Sequence, residues 1–271
     1  RASECEVPGL NKNSLADCLA QAAPPGREAE WKYSGDNLKG MYQWLGGGQG
    51  NQAHPLAIQL LIEVARGRNE TPLEVLRRHR VAFQKKMEEN LLGDLFENVL
   101  SKAEQRLIQT LALYRSAIPH DHADMLEQRL NVQDAWDGID RRCLLTPNAD
   151  HSLYYLHSFI ADWLRTRLGY ADQEEGEDAA FAETTSEITR QQARRLHSAI
   201  ATCWLHQLGG SRRVTNQNIG RALEAFHHLI ASGEADRVQG IAVQLLTGKL
   251  EWAQKRIRDL CDYLYESGAS I

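Results

Sequence analysis

Cysteine is scarce and scattered in this chain. The five, Cys5, Cys18, Cys143, Cys203 and Cys261, are odd in number, far apart and never in a CxxC pair. That spacing argues against a disulfide framework and against a zinc site. It fits a reducing, cytoplasmic setting with mostly buried thiols. No apolar run approaches the roughly 18 residues of a membrane span, and no signal-peptide pattern opens the chain. Basic residues do not predominate either: 31 Lys and Arg stand against 36 Asp and Glu, a net charge of -5. Nucleic acid, which favours basic surfaces, is not expected as a partner. No Ser/His/Asp order sits in a strand–turn–helix context, and no two carboxylates suggest a general acid and base. The chain opens at Arg1 without a methionine and reads as a piece of something longer.

What is present is helix-forming sequence, with 271 residues for about two domains. Asn13 and Ser14 offer caps for a short helix to about Gln21, with Asp17 at the capping-box position. Pro24, Pro25 and Gly26 mark a loop. A second helix is predicted over about 35–45, ending in the glycine run Gly46 to Gly48. Pro55 stands where a helix N1 proline belongs. The rows Leu56/Leu60/Val64 and Ala57/Leu61/Ala65 step by four and predict a broad buried face, closed by Gly67. Thr71-Pro72-Leu73-Glu74 is a strong helix start, and the helix it opens carries Arg77, Arg78, Arg80, Lys85 and Lys86.

From Ser101 the texture changes. Ser101 and Glu104 form another capping box, followed by the stripe Leu107, Ile108, Leu111 and Tyr114. Pro119 is expected to open a second helix to about Arg129, and Asn131 to cap a third with Asp134 at N3. Leu144-Leu145 and Leu153 to Leu156, around Pro147-Asn148-Ala149-Asp150, read as a β-hairpin. A closing helix follows His157 and Ser158, with Phe159/Trp163 and Ile160/Leu164 pairs. Three helices, a hairpin and a helix make a winged-helix pattern. Tyr170 to Glu187 is acidic and poor in large apolar residues, which predicts a linker. Beyond it, stripes at Leu196/Ile200/Cys203/Trp204, Leu223/Phe226/Ile230, Val238/Ile241/Leu245 and Leu250/Ile257/Leu264 predict stacked α-hairpins.

Several constellations are better read as structure than as chemistry. Gly48-x-Gly50-x-x-Ala53 fits a dinucleotide fingerprint only formally, because that fingerprint needs a preceding strand. No Lys-Ser or Lys-Thr follows, so it is no phosphate-binding loop. His120-x-His122 has no further ligand at metal spacing and reads as a solvated helix start. His227-His228 point in different directions on a helix and cannot chelate together. Arg194-Arg195 and Arg212-Arg213 read as surface pairs. No metal is expected.

Two segments carry a family resemblance. Ala53-His54-Pro55-Leu56-Ala57-Ile58 resembles the G-x-P-L-A-L/I motif in the helical lid of STAND NTPases, the NB-ARC-like signalling ATPases. Tyr155-Leu156-His157-Ser158 is similar to the Met-His-Asp-like motif of their winged-helix domain. Pro55 matches the family proline that packs against adenine. His157 matches the histidine that donates a hydrogen bond to the β-phosphate of ADP in the resting state. Ala53 replaces the motif's glycine, Leu156 its methionine and Ser158 its aspartate, which removes any carboxylate role there. Ala225 to Glu234 is similar to a helix–turn segment of the helical arms that often follow.

The resemblance implies a mainly α architecture: a helical lid over 1–90, a winged-helix domain with one small β-hairpin over 91–170, an acidic linker over 171–187, and a TPR-like α-hairpin repeat array over 188–271. It implies a regulatory fragment of a signal-transduction ATPase. ADP or ATP would be bound only with a nucleotide-binding core ahead of this chain, and a protein partner through the C-terminal helices. Without a P-loop or Walker B strand the chain is not expected to be an enzyme. Two other readings compete. One is a winged-helix DNA-binding transcription regulator with Asn131 to Arg142 as recognition helix, where Asp134, Asp137 and Asp140 would repel phosphates. The other is a helical scaffold with no nucleotide role.

Overall fold

The computed structural model describes residues 9–46, 52–79, 87–168, 186–209, 216–234 and 236–239. Most of the glycine run, Arg80, Lys85, Lys86, nearly all of the acidic stretch, Arg212-Arg213, and the stripes Ile241/Leu245 and Leu250 to Leu264 lie outside them. The described residues are mainly helical, with one small three-stranded antiparallel sheet. The chain divides into two compact units, the division falling between Gln105 and Arg106.

The first unit is built on helices α1 (Lys12–Ala22), α2 (Gly35–Trp44), α3 (Pro55–Arg68), α4 (Pro72–His79) and α5 (Met87–Asp94), the last running into a π-helical turn at Leu95–Val99. Helix α3 is its centre. Leu56, Ala57, Leu60, Leu61, Val64 and Ala65 are all buried, as the two rows of four predict. Asn69 closes α3 in the left-handed conformation, a role asparagine tolerates. Thr71 and Glu74 cap each other at the start of α4, and Ser101 and Glu104 do the same before the next helix. Helix α1 starts earlier than Ser14 suggests: Asn11 is its cap, accepting the Ser14 N–H at 2.9 Å.

Helix α6 (Lys102–Leu111) crosses into the second unit. There follow strand β1 (Ile118–Pro119), a 3-10 turn (His120–His122), α7 (Ala123–Leu130), α8 (Ala135–Arg141), β2 (Leu145–Pro147), β3 (Leu153–Leu156) and α9 (Ser158–Arg167). Helices α10 (Ser186–Gly209) and α11 (Asn216–Ser232) then pack against each other. Strand β3 is central, with Ile118 opposite Tyr154 on one side and Leu145 opposite Leu156 on the other.

Three expectations are corrected here. Pro119 lies in an edge strand, not at a helix start; it cannot donate a ladder hydrogen bond, so an edge is where a sheet accepts it. Asn131 ends α7 in the left-handed conformation instead of opening α8, and α8 begins after Asp134. His122 is fully buried, not solvated. The stripe Leu196, Ile200, Cys203 and Trp204 is buried as expected. Phe226 and Leu229 form an apolar cluster with Ala201, Ala222 and Val238.

Candidate functional site

Pro55 is the first residue of α3, half-buried, and the approach to it is fixed by backbone pairing. Leu10 and Ala53 exchange both main-chain hydrogen bonds at 3.0 Å, and the His54 N–H donates to Leu45 O at 2.9 Å. His54 is extended, the conformation a following proline imposes. Gly9 permits this pairing: a Cβ there would lie 2.6 Å from that of Gln52. Ala53 is wholly buried in the bridge.

His157, in the second unit, joins β3 to α9. Its exposed ring caps the helix: Nδ1 accepts the Phe159 N–H at 3.2 Å. An imidazole nitrogen that accepts cannot carry the proton, so neutral His157 bears it on Nε2 and is a donor there. Helix α9 is held by Arg165, whose guanidinium donates to Ala112 O at 2.7 Å and Tyr114 O at 3.0 Å. These carbonyls end the turn after α6, where orphan acceptors need partners.

Sequence reasoning missed a buried network in the same unit. The Tyr114 hydroxyl lies 2.8 Å from His122 Nδ1, and His197 Nδ1 lies 2.7 Å from His228 Nδ1. Trp204 stacks edge-on against His122 at 4.6 Å between ring centres. The Tyr114 ring lies 5.9 Å from that of His228. Burial pushes His122 down to about 4, against the opposing influence of Gln207 and Asp121. Burial and then His227 take His197 down to about 4. His227 falls to about 4 through burial and Arg115, and burial, then His197, holds His228 well below its ordinary value. Burial also holds the Tyr114 hydroxyl well above its ordinary value and pushes the Cys203 thiol up to about 12. The network is therefore neutral near pH 7.

The His197–His228 pair is not spaced to share a metal ion. Two nitrogens on one zinc ion at its usual bond length stand about 3.3 Å apart, farther than the His197–His228 separation, which is that of a shared proton. Among the described residues no group of three or more His, Cys, Asp and Glu is placed to hold a metal ion. No described helix is long and apolar enough to cross a membrane.

Beside the network lies an open pocket of about 440 Å³. Trp204 and Gln207 of α10 and Gly220, Arg221 and Glu224 of α11 line it, with Asp121 and Ser152 from the sheet side. Spacings of three and four put these helix residues on single faces. Glu224 Oε2 and Trp204 Nε1 are shut off from solvent without a hydrogen-bond partner. Burial raises the Glu224 carboxyl, with Arg115 opposing.

Comparison with models of known families, with curated proteins and with solved structures finds no match for this chain.

Proposed function

We propose that this chain is the regulatory arm of a STAND-type signalling ATPase, closing over ADP held by a nucleotide-binding core that precedes it. In this reading 1–90 is the helical lid, and the segment from α6 to α9 is a winged-helix domain. Support for the latter comes from its order, helix–strand–helix–helix–hairpin–helix, with β3 between β1 and β2. The pair α10 and α11 would open a TPR-like arm that takes a protein partner.

The observation that carries the reading is the cap that His157 makes on α9. Its Nδ1 is spent on capping α9, which orients the ring and leaves the proton on Nε2. A β-phosphate needs such a donor, and the start of a helix adds favourable partial charge. Pro55, rigid at the first position of α3, offers a flat apolar ring for a base.

A hydrogen bond to a charged phosphate contributes about 1.5–3 kcal/mol. In the polypeptide carrying the core, His157→Ala should speed ADP release roughly tenfold or more, since 1.4 kcal/mol is a factor of ten. Stopped-flow release of a fluorescent ADP measures this. Release at the unaltered rate sinks the reading.

A further inference from the structure

The pocket between α10, α11 and the sheet side of the second unit has no part in the nucleotide reading. Its wall carries charges of both signs that do not satisfy one another. Arg221 and Glu224 are one helical turn apart on α11, a spacing at which opposite charges ordinarily pair. No ion pair joins them among the described residues, nor does Asp121 across the pocket form one. Glu224 keeps one carboxylate oxygen wholly out of water and without a hydrogen bond. A desolvated, unpaired carboxylate is costly unless something compensates it. Trp204, only 6% exposed, adds its indole to the wall, while its Nε1–H is shut off from solvent.

We propose that this pocket binds a free amino acid or kindred small zwitterion, its ammonium group on Glu224 and Asp121 and its carboxylate on Arg221. Each end of such a ligand supplies the charge that one side of the wall lacks. The Trp204 ring suits an ammonium or an apolar side chain. The volume lies within the range of small-molecule sites. A simple cation would leave Arg221 uncompensated, and a simple anion would meet Glu224 and Asp121. The other charged or titratable groups around Glu224 are Arg115, the buried Tyr114 hydroxyl and, through Gln207, His122. The site would give the arm a small-molecule input distinct from nucleotide, and it is testable on this chain alone.

The test is calorimetry on the full chain with each proteinogenic L-amino acid, preceded by a thermal-shift screen. At least one should give saturable binding. Its N-acetyl derivative and its methyl ester, each lacking one charge, should bind at least tenfold more weakly. Glu224→Gln and Arg221→Met should each weaken binding tenfold or more. Gly220→Leu guards against loss through misfolding. A Cβ at Gly220 meets nothing within 4 Å, so the variant should melt no lower than the parent while its side chain fills the pocket and removes binding. Three results overturn the proposal: no saturable heat with any amino acid at millimolar concentration, equal binding of the singly charged derivatives, or undiminished binding in Gly220→Leu.

Discussion

The Nδ1 atoms of His197 and His228 face each other at 2.7 Å, and the two residues are 3% and 0% exposed. One nitrogen must donate and the other accept. A second proton would set two N–H groups against each other inside the core. The pair thus ties α10 to α11 by a bond that exists only while at least one ring is neutral.

Acid should loosen the second unit well before carboxylates titrate. His122 and His197 are held down to about 4 in the folded chain, against about 6.5 when unfolded. Between those values the unfolded chain binds more protons, so their contribution is complete above pH 6.5 and is lost as pH falls toward 4. The effect is on the order of 3 kcal/mol for each of these two histidines. Thermal melts at pH 7.5, 6.0 and 5.0 should show a falling midpoint. A midpoint unchanged across that range would contradict the picture of neutral buried imidazoles.

Asp94 is the polar hub of the first unit. Its side chain is 4% exposed and accepts from Arg68 and Arg78 at 2.9 Å, His79 at 2.8 Å and Asn98 at 2.9 Å. Burial raises its carboxyl, but His79, Asn98 and the two guanidiniums outweigh that and hold it below the ordinary value. Its stabilisation is present above the unfolded carboxyl range and fades as pH falls through the depressed value. Asp94→Ala would strand these donors, although the arginines can turn to water. The expected loss is about 2–3 kcal/mol by urea unfolding, and a loss under about 0.5 kcal/mol would show the hub to be cosmetic.

Gly67 and Val99 illustrate a contact that helix propensity alone misjudges. A Cβ at Gly67 would lie 2.2 Å from Val99 Cγ1. Alanine in a helix normally gains about 0.5–1 kcal/mol over glycine, yet Gly67→Ala should destabilise here because α3 meets the π-helical turn at this point. Val99→Ala should restore most of the loss. A double-mutant cycle reads the coupling, and additive effects would refute the contact.

The helices were legible because their signals are local. Capping boxes at Thr71 and Ser101 and rows of four in α3 are written within a single turn or two. Strand β1 was not legible: it is two residues long, one of them proline, and exists only because β3 offers it an edge. Asn131 and Asp134 looked like an N-terminal cap and its partner, but both adopt left-handed backbone, which sequence spacing does not reveal. His122 read as part of a solvated helix start because Trp204, which packs on it, is distant in sequence, and His197 drew no reading because its partner His228 lies on another helix. The pocket likewise gathers residues from positions 116 to 224. Residues such as Pro55 and His157 drew notice through short motifs, and their local settings give each a defined role at a helix start.

His157 allows stability and nucleotide recognition to be separated. Aspartate is among the best residues at a helix N-cap, and its charge favours the N-terminus of α9. His157→Asp should therefore keep the cap, with unfolding free energy within about 0.5 kcal/mol of the parent or above it. His157→Ala removes the acceptor and should cost about 1 kcal/mol. Toward a phosphate the order changes. The carboxylate of His157→Asp carries no donor and repels the anion, so ADP retention should fall at least as far as in His157→Ala despite the sounder helix. Release rates that simply follow α9 stability would mean that the imidazole acts as a cap alone, and the histidine would have no bearing on nucleotide.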